Sequence, residues 1–147
     1  MEQQEAIQET MSHSDTVYHR SAHILIVEDD ITMEPIWKYV IERAVPGASI
    51  KWVTTEEAAE KIIAHRLHTS EEFDLIISDI FLSGSRTGID LWKRYGSSNS
   101  QFLLMSAVSP TKFAKLVGDA EPTPLYVQKP INPIACIDTI SEMFSKF

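Results

Sequence analysis

Several side chains able to bind cations or phosphate stand where apolar segments of this sequence end. Carboxylate oxygens suit a hard cation such as Mg²⁺, and an amine adds a second positive charge. A hydroxyl adds a neutral hydrogen-bond donor, so that the three groups together can surround the oxygens of a phosphoryl group in transfer. The residues that follow apolar segments in this way are Glu28, Asp29, Asp79, Ser106 and Lys129.

Asp79 is the best candidate for a nucleophile among these residues. Two unit charges 4 Å apart repel by ~4 kcal/mol at an effective dielectric constant near 20, so the clustered acids need a cation or a bound proton. A carboxylate held beside a cation can attack phosphorus and become an acyl phosphate. Asp79 ends an apolar segment with no second acid beside it, which leaves Glu28 and Asp29 to hold the metal. Asp30 is more simply explained as a helix or turn cap.

Short apolar segments alternate with amphipathic segments five times along the chain. Apolar runs without polar alternation indicate strands that are covered on both faces, and helices between them indicate parallel strands. We therefore predict an α/β fold, a three-layer sandwich with a five-stranded parallel sheet. The site should lie at the carboxyl ends of the strands. The predicted strands are 23–27, 49–53, 73–77, 101–105 and 125–127.

Local signals predict where the intervening helices begin and which residues they bury. Pro35 should fall in the first turn of the first helix, and Thr54–Glu57 offers a capping box for the second. Cys136 should be an inert thiol in the core. The tryptophans Trp37, Trp52 and Trp92 are expected to serve packing. The last helix should present Ile134, Ile137, Ile140, Phe144 and Phe147 on its apolar face.

Composition excludes several classes of protein. The chain has 147 residues and a net charge of −8, which fits one globular domain and argues against direct nucleic-acid binding. It has no apolar run long enough to cross a membrane and no secretory signal. A single cysteine excludes an internal disulfide and fits a cytoplasmic protein. Residues 1–22 are polar and predict a flexible or partly helical extension, followed by a domain over 23–147.

The sequence resembles the receiver domain of two-component response regulators, here of the stand-alone, single-domain type. The resemblance spans about residues 23–147 and implies a flavodoxin-like sheet with strand order 2-1-3-4-5. It is carried by the segments ILIVEDD (24–30), DLIISDIFLSG (74–84), LLMSA (103–107) and YVQKP (126–130), together with Gly88.

The resemblance implies a role for each candidate residue. Asp79 looks like the phospho-accepting aspartate. Asp29 looks like a direct ligand of Mg²⁺, Glu28 like a ligand acting through water, and the backbone carbonyl of Phe81 like the remaining protein ligand. Lys129 looks like the lysine that contacts the phosphoryl group, followed by a cis bond to Pro130. Ser106 looks like the switch hydroxyl, which also contacts the phosphoryl group, and Tyr126 like the switch aromatic.

The family also implies partners and a mode of action. A sensor histidine kinase or a histidine phosphotransfer protein would supply the phosphoryl group, and the chain would act only on its own aspartate rather than as an enzyme. Phosphorylation would remodel the surface of the fourth helix, fifth strand and fifth helix for an unknown downstream protein, for relay of the phosphoryl group, or for a homodimer. Phe81 and Val108 occupy the positions that tune dephosphorylation. Both are apolar, which predicts a long-lived acyl phosphate.

Other functions fit the sequence less well. A phosphorylation-independent interaction module with a receiver fold is the main alternative. A hydrolase with an aspartyl nucleophile usually has a second acid two residues later, where this chain has Phe81. A nucleotide-binding protein is disfavoured because no glycine-rich phosphate loop is present. The last predicted helix ends with the sequence, which predicts output through protein contacts rather than through an attached DNA-binding module.

Overall fold

The computed structural model describes residues 21–82, 87–119 and 122–145, which form one parallel sheet with helices on both faces. The strand order is β2-β1-β3-β4-β5, so the predicted fold class and topology are confirmed. The strands are β1 His23–Val27, β2 Ser49–Val53, β3 Leu75–Asp79, β4 Gln101–Ser106 and β5 Leu125–Gln128. The helices are α1 Glu34–Ala44, α2 Glu56–Arg66, α3 Gly88–Tyr95, α4 Pro110–Val117 and α5 Pro133–Phe144, and a 3₁₀ turn Ile31–Met33 precedes α1.

The sheet divides the hydrophobic core into two layers. Side chains of a strand alternate between the two faces, and in β1 Ile24 and Ile26 pack towards one layer while Leu25 and Val27 pack towards the other. The first layer contains residues of α1 and α5, and the second contains residues of α2, α3 and α4. Both faces of the central strands are therefore covered, as their continuous apolar sequences predicted.

Three local predictions need correction. The third strand runs two residues later than predicted and includes Asp79, because Asp79 pairs with Met105 of β4. The second helix is capped by Thr55, whose hydroxyl accepts from the Ala58 amide. A capping box needs Glu or Gln three residues after the cap, and because this chain has Ala58 there, no capping box forms. Ile134 is 70% exposed instead of lining the core. The buried stripe of α5 is formed by Cys136, Ile140 and Met143.

Other local predictions agree with the structure. Pro35 lies in the first turn of α1, where a missing N–H costs no hydrogen bond. Cys136 is buried as predicted. The predicted extension 1–22 lies outside the described residues except for its last two, and so does Phe147. No helix in the described ranges has the length and apolar character needed to cross a membrane.

Parallel pairing brings the carboxyl ends of β1, β3 and β4 to one edge of the sheet. Val27 pairs with Ser78, Asp79 pairs with Met105, and Ser106 pairs with Gln128. The residues at the ends of these strands therefore stand side by side although they are distant in sequence. This edge carries the predicted site.

Candidate functional site

Lys129 joins two acidic side chains that stand at the carboxyl ends of β1 and β3. Its Nζ donates to Asp79 Oδ2 at 2.6 Å and to Glu28 Oε1 at 2.8 Å. The Glu28 side chain is fully buried, the Asp79 side chain is 8% exposed and the Lys129 side chain is 21% exposed. Buried charges are tolerated when they are paired and hydrogen-bonded, and this arrangement meets both conditions. The structure thus brings together three residues that sequence analysis placed in one site.

Backbone contacts hold Asp79 and Lys129 in place. The Phe81 amide donates to Asp79 Oδ1 at 2.9 Å, so both carboxylate oxygens of Asp79 accept a hydrogen bond. The Lys129 amide donates to the Ser106 carbonyl at 2.7 Å, and the Lys129–Pro130 peptide bond is cis, as predicted. The nucleophile candidate and the amine are therefore fixed by the strands and their immediate continuations.

The site perturbs the acid–base properties of its charged groups. Burial raises the pKa of Glu28, although hydrogen bonds from Lys129 and from the Asp30 amide act in the opposite direction. Burial by itself would lower the pKa of Lys129, but the hydrogen bonds to Asp79 and Glu28 outweigh it and the pKa is raised. Lys129 is therefore a fixed cation at neutral pH.

Glu28, Asp29 and Asp79 form a group that fits a divalent cation. One carboxylate oxygen from each lies within 4.8 Å of the others, and Asp29 is the exposed member. The three carboxylates and the Lys129 ammonium together carry a net charge of −2, which a divalent cation balances. Oxygen donors at a solvent-accessible edge suit Mg²⁺, which binds through one or two carboxylates and keeps several waters.

Asp30 serves as a cap and does not join this group, in agreement with the sequence analysis. Its Oδ1 accepts from the Thr32 amide at 3.1 Å and from the Thr32 hydroxyl at 2.6 Å. It is the N-cap of the 3₁₀ turn that leads into α1. Of the three acidic residues after β1, Glu28 and Asp29 therefore belong to the group that fits a cation, and Asp30 is a structural cap.

Ser106 and Tyr126 are in direct contact. Ser106 Oγ and Tyr126 Oη lie 2.8 Å apart, and Ser106 Oγ also accepts from the Val108 amide at 3.1 Å. The Tyr126 hydroxyl lies 2.6 Å from the Val108 carbonyl oxygen and 3.1 Å from the Ser106 carbonyl oxygen, both possible acceptors. The Ser106 hydroxyl is thus engaged by Tyr126 and the β4–α4 loop, and the structure shows no hydrogen bond from it to the described atoms of Asp79 or Lys129.

Sequence analysis missed Phe113 as part of this arrangement. Its ring stacks on the Tyr126 ring with centroids 4.0 Å apart and an angle of 9° between the planes. The periodicity of α4 marked Phe113 only as an apolar position. Nothing in that pattern shows that its neighbour is the aromatic residue of β5, since the contact depends on how the helix packs across the sheet.

The two positions assigned to tuning dephosphorylation differ in exposure. The Phe81 side chain is 48% exposed beside Asp79, whereas Val108 is half-buried and packs against the core layer of α2, α3 and α4. Neither side chain carries a group that can hydrogen-bond a water molecule. The structure places Phe81 next to the candidate nucleophile through its backbone amide.

Comparisons with solved structures agree on one fold. A response regulator receiver protein from Sinorhizobium medicae superimposes with a TM-score of 0.69 at 16% identity, covering 86% of this chain and 96% of that one. The signal receiver domain of a DNA-binding response regulator from Colwellia psychrerythraea gives 0.68 at 21% identity, covering 85% and 99%. The signal receiver domain of a signal transduction histidine kinase from Syntrophus aciditrophicus gives 0.67 at 20% identity, covering 86% and 92%.

Sequence comparison adds no further relative. No protein-family model matches the chain, and no curated protein matches it. The likeness to these structures therefore rests on three-dimensional structure. The strand order and the acidic sheet edge of this chain are those that the sequence motifs led us to expect. The chain has the fold of response regulator receiver domains.

Proposed function

We propose that this chain is a phosphorylation-dependent signalling switch that accepts a phosphoryl group on Asp79. The observation that carries the proposal is the 2.6 Å contact between Asp79 Oδ2 and Lys129 Nζ inside a group of three carboxylates. A nucleophilic carboxylate, a fixed ammonium and a cation-binding pair are the parts that phosphoryl transfer to a carboxylate requires.

The phosphoryl donor in this proposal is a phosphohistidine on a sensor histidine kinase or a histidine phosphotransfer protein. A carboxylate oxygen of Asp79 attacks phosphorus and forms a P–O bond, while the P–N bond to the imidazole breaks. The imidazole nitrogen leaves with the bonding electrons. Lys129 stabilises the charge on the phosphoryl oxygens, and the Phe81 amide holds the carboxylate in position.

Asp29, Asp79 and, through water, Glu28 are the residues that would hold Mg²⁺, with the Phe81 carbonyl as a further ligand. When bound, Mg²⁺ supplies positive charge that neutralises the carboxylates and the phosphoryl oxygens. Asp29 is suited to this role because it is the exposed member of the group. Glu28 contributes from a fully buried position in which Lys129 and the Asp30 amide already orient it.

The signal in this proposal passes from Asp79 to Ser106 and Tyr126. A phosphoryl group on Asp79 adds negative charge and acceptor oxygens close to the end of β4, which favours a shift of the Ser106 hydroxyl towards it. That shift would break the contact with Tyr126 and alter the surface formed by α4, β5 and α5. A downstream protein, a relay partner or a second copy of the chain would bind the altered surface.

Intact mass measurement tests the proposal. The purified chain is incubated with acetyl phosphate, with Mg²⁺ or with EDTA, beside Asp79→Asn and the matched variant Asp30→Asn. We expect a gain of one phosphoryl group with Mg²⁺ in the unaltered chain and in Asp30→Asn, because Asp30 only caps a turn. Asp79→Asn and the EDTA sample should gain none. An absent gain in all samples would favour a phosphorylation-independent interaction module.

A further inference from the structure

Three hydrogen bonds close a ring at the carboxyl end of β4. The Val108 amide donates to Ser106 Oγ at 3.1 Å, Ser106 Oγ lies 2.8 Å from Tyr126 Oη, and the Tyr126 hydroxyl donates to the Val108 carbonyl at 2.6 Å. The ring therefore begins and ends at Val108. It joins the end of β4, the loop that follows it and the neighbouring strand β5.

The distances decide which hydroxyl donates in the contact between Ser106 and Tyr126. A carbonyl oxygen carries no proton, so the 2.6 Å contact with the Val108 carbonyl requires the one hydroxyl proton of Tyr126. The Ser106 carbonyl, at 3.1 Å, is a second acceptor for that same proton. The proton between the two hydroxyl oxygens must then come from Ser106, which thereby uses its only side-chain donor on Tyr126.

A phosphoryl group on Asp79 would need this same donor. Ser106 follows Met105, the residue that pairs with Asp79 in the neighbouring strand, and the Ser106 carbonyl accepts from the Lys129 amide at 2.7 Å. Ser106 thus stands at the sheet edge that carries the acidic site. Ionised phosphoryl oxygens only accept hydrogen bonds, so Ser106 can donate to one only if it releases Tyr126.

Packing favours the closed ring over its alternatives. The Tyr126 ring stacks on Phe113 and packs against the core layer of α2, α3 and α4. Ser106 is 1% exposed, so water cannot readily replace a partner that its hydroxyl loses. A buried polar group that loses its partner lowers stability. The ring therefore stabilises the arrangement in which the Ser106 donor is turned to Tyr126.

We infer that the Tyr126 hydroxyl opposes phosphorylation of Asp79 by holding the Ser106 donor away from the phosphoryl site. The inference rests on the proposed function of Asp79. It makes Tyr126 a positioning residue, which acts through Ser106 and does not itself contact the phosphoryl group. Loss of this hydroxyl should therefore favour the phosphorylated state, although it removes hydrogen bonds from the fold.

Equilibrium binding of a phosphoryl analogue tests the inference in the full chain. Beryllium trifluoride forms a tetrahedral adduct with a carboxylate oxygen, and ¹⁹F NMR spectra report the bound fraction in the presence of Mg²⁺. We expect Tyr126→Phe to bind the analogue roughly two- to tenfold more tightly than the unaltered chain, the range that the net value of one hydrogen bond allows. Tyr126→Phe should at the same time unfold at a lower urea concentration. A residue that served only the fold would combine lower stability with equal or weaker binding.

Two further variants separate the Ser106 contact from general effects. Ser106→Ala removes the donor that Tyr126 holds, so the double variant with Tyr126→Phe should bind the analogue no more tightly than Ser106→Ala alone. Tyr95→Phe is the matched control and should bind like the unaltered chain. Tyr95 is also half-buried, and its hydroxyl lies 3.5 Å from a carboxylate oxygen of Glu60. It ends α3, whereas Gly88, at the start of that helix, is the residue close to Asp79.

The outcomes distinguish this inference from the proposed function. Equal or weaker binding by Tyr126→Phe would overturn the inference alone, since the unaltered chain would still bind the analogue. The same gain in the Ser106→Ala background would also overturn it, because the hydroxyl would then act by another route. An absence of bound analogue in every chain would contradict the proposed function of Asp79 and the inference with it.

Discussion

Ser106 Oγ and Tyr126 Oη lie 2.8 Å apart and connect the end of β4 to β5. The Tyr126 hydroxyl also lies within hydrogen-bond distance of the Val108 carbonyl, and its ring stacks on Phe113 of α4. One tyrosine thus contacts the strand end next to Asp79, the following loop and the helix beyond it. A displacement of Ser106 would remove a hydrogen-bond partner of this tyrosine, which is the first step of the proposed switch.

The hydroxyl of Tyr126 should contribute measurably to stability. Tyr126→Phe keeps the stack on Phe113 but removes the donor to the Val108 and Ser106 carbonyls. We expect the free energy of unfolding to fall by about 1 kcal/mol, the net value of a typical hydrogen bond. Urea denaturation measures this. Tyr39→Phe is the control, since Tyr39 is 44% exposed and its contact with Arg43 involves the ring. Equal losses in the two variants would argue against the network.

Gly88 should be irreplaceable because the backbone that carries Asp79 passes close to it. A Cβ atom at Gly88 would lie 2.2 Å from the Asp79 carbonyl oxygen and 2.8 Å from Ser78 Oγ. Gly88→Ala should therefore cost about 3 kcal/mol of stability, at the upper end for overpacking. Gly47→Ala is the matched control: its φ of 84° is strained for alanine but nothing lies within 4 Å, so it should cost about 1 kcal/mol. Thermal denaturation of both variants would show the difference, and equal costs would contradict it.

The lifetime of the proposed acyl phosphate should depend on Phe81. Its side chain is 48% exposed beside Asp79 and has no group that can orient an attacking water. Phe81→Asn should speed hydrolysis by roughly tenfold, less than the ~10²-fold or more of a general base, because Asn can orient the attacking water but cannot take its proton. The loss of phosphorylated mass with time, after removal of the donor, measures this. Leu125→Asn is a control at another exposed apolar position, 47% exposed on β5. A lifetime of seconds in the unaltered chain would contradict the prediction.

Cys136 should be unreactive in the folded protein. It is 2% exposed, and burial raises the pKa of its thiol, so the reactive thiolate is a smaller fraction at any given pH than in an exposed cysteine. Labelling with a disulfide reagent should be slow under native conditions and fast in urea. The native rate should rise with pH. Rapid labelling of the folded chain at neutral pH would contradict the burial of Cys136 in α5.

The parts of the fold that sequence analysis predicted are those that local patterns determine. Strand β1, His23–Val27, and residues 101–105 of β4 were recognisable from continuous apolar runs, and Asp79 and Lys129 from their place just past such segments. The parallel topology then required their convergence. Asp30 could likewise be predicted as a cap and set apart from Glu28, Asp29 and Asp79, because a cap depends only on residues next to it in sequence.

The features that sequence analysis missed depend on tertiary packing. The bounds of β3 were predicted two residues too early because Phe73 is apolar, although it lies in the loop before the strand. The exposure of Ile134 depends on which stripe of α5 faces α1, and its hydrophobic residues lie on more than one stripe. The stack of Phe113 on Tyr126 involves elements that are distant in sequence. No local pattern records such contacts.

Chemical reduction can locate the phosphoryl group on a single residue of the chain. Borohydride reduces an acyl phosphate to an alcohol, which converts a phosphorylated aspartate to homoserine. The chain is treated with acetyl phosphate and Mg²⁺, reduced, digested and sequenced by mass spectrometry. We expect homoserine at position 79 alone, dependent on Mg²⁺. Homoserine at Glu28's neighbour Asp29, or phosphate that survives reduction on a serine or histidine, would contradict it.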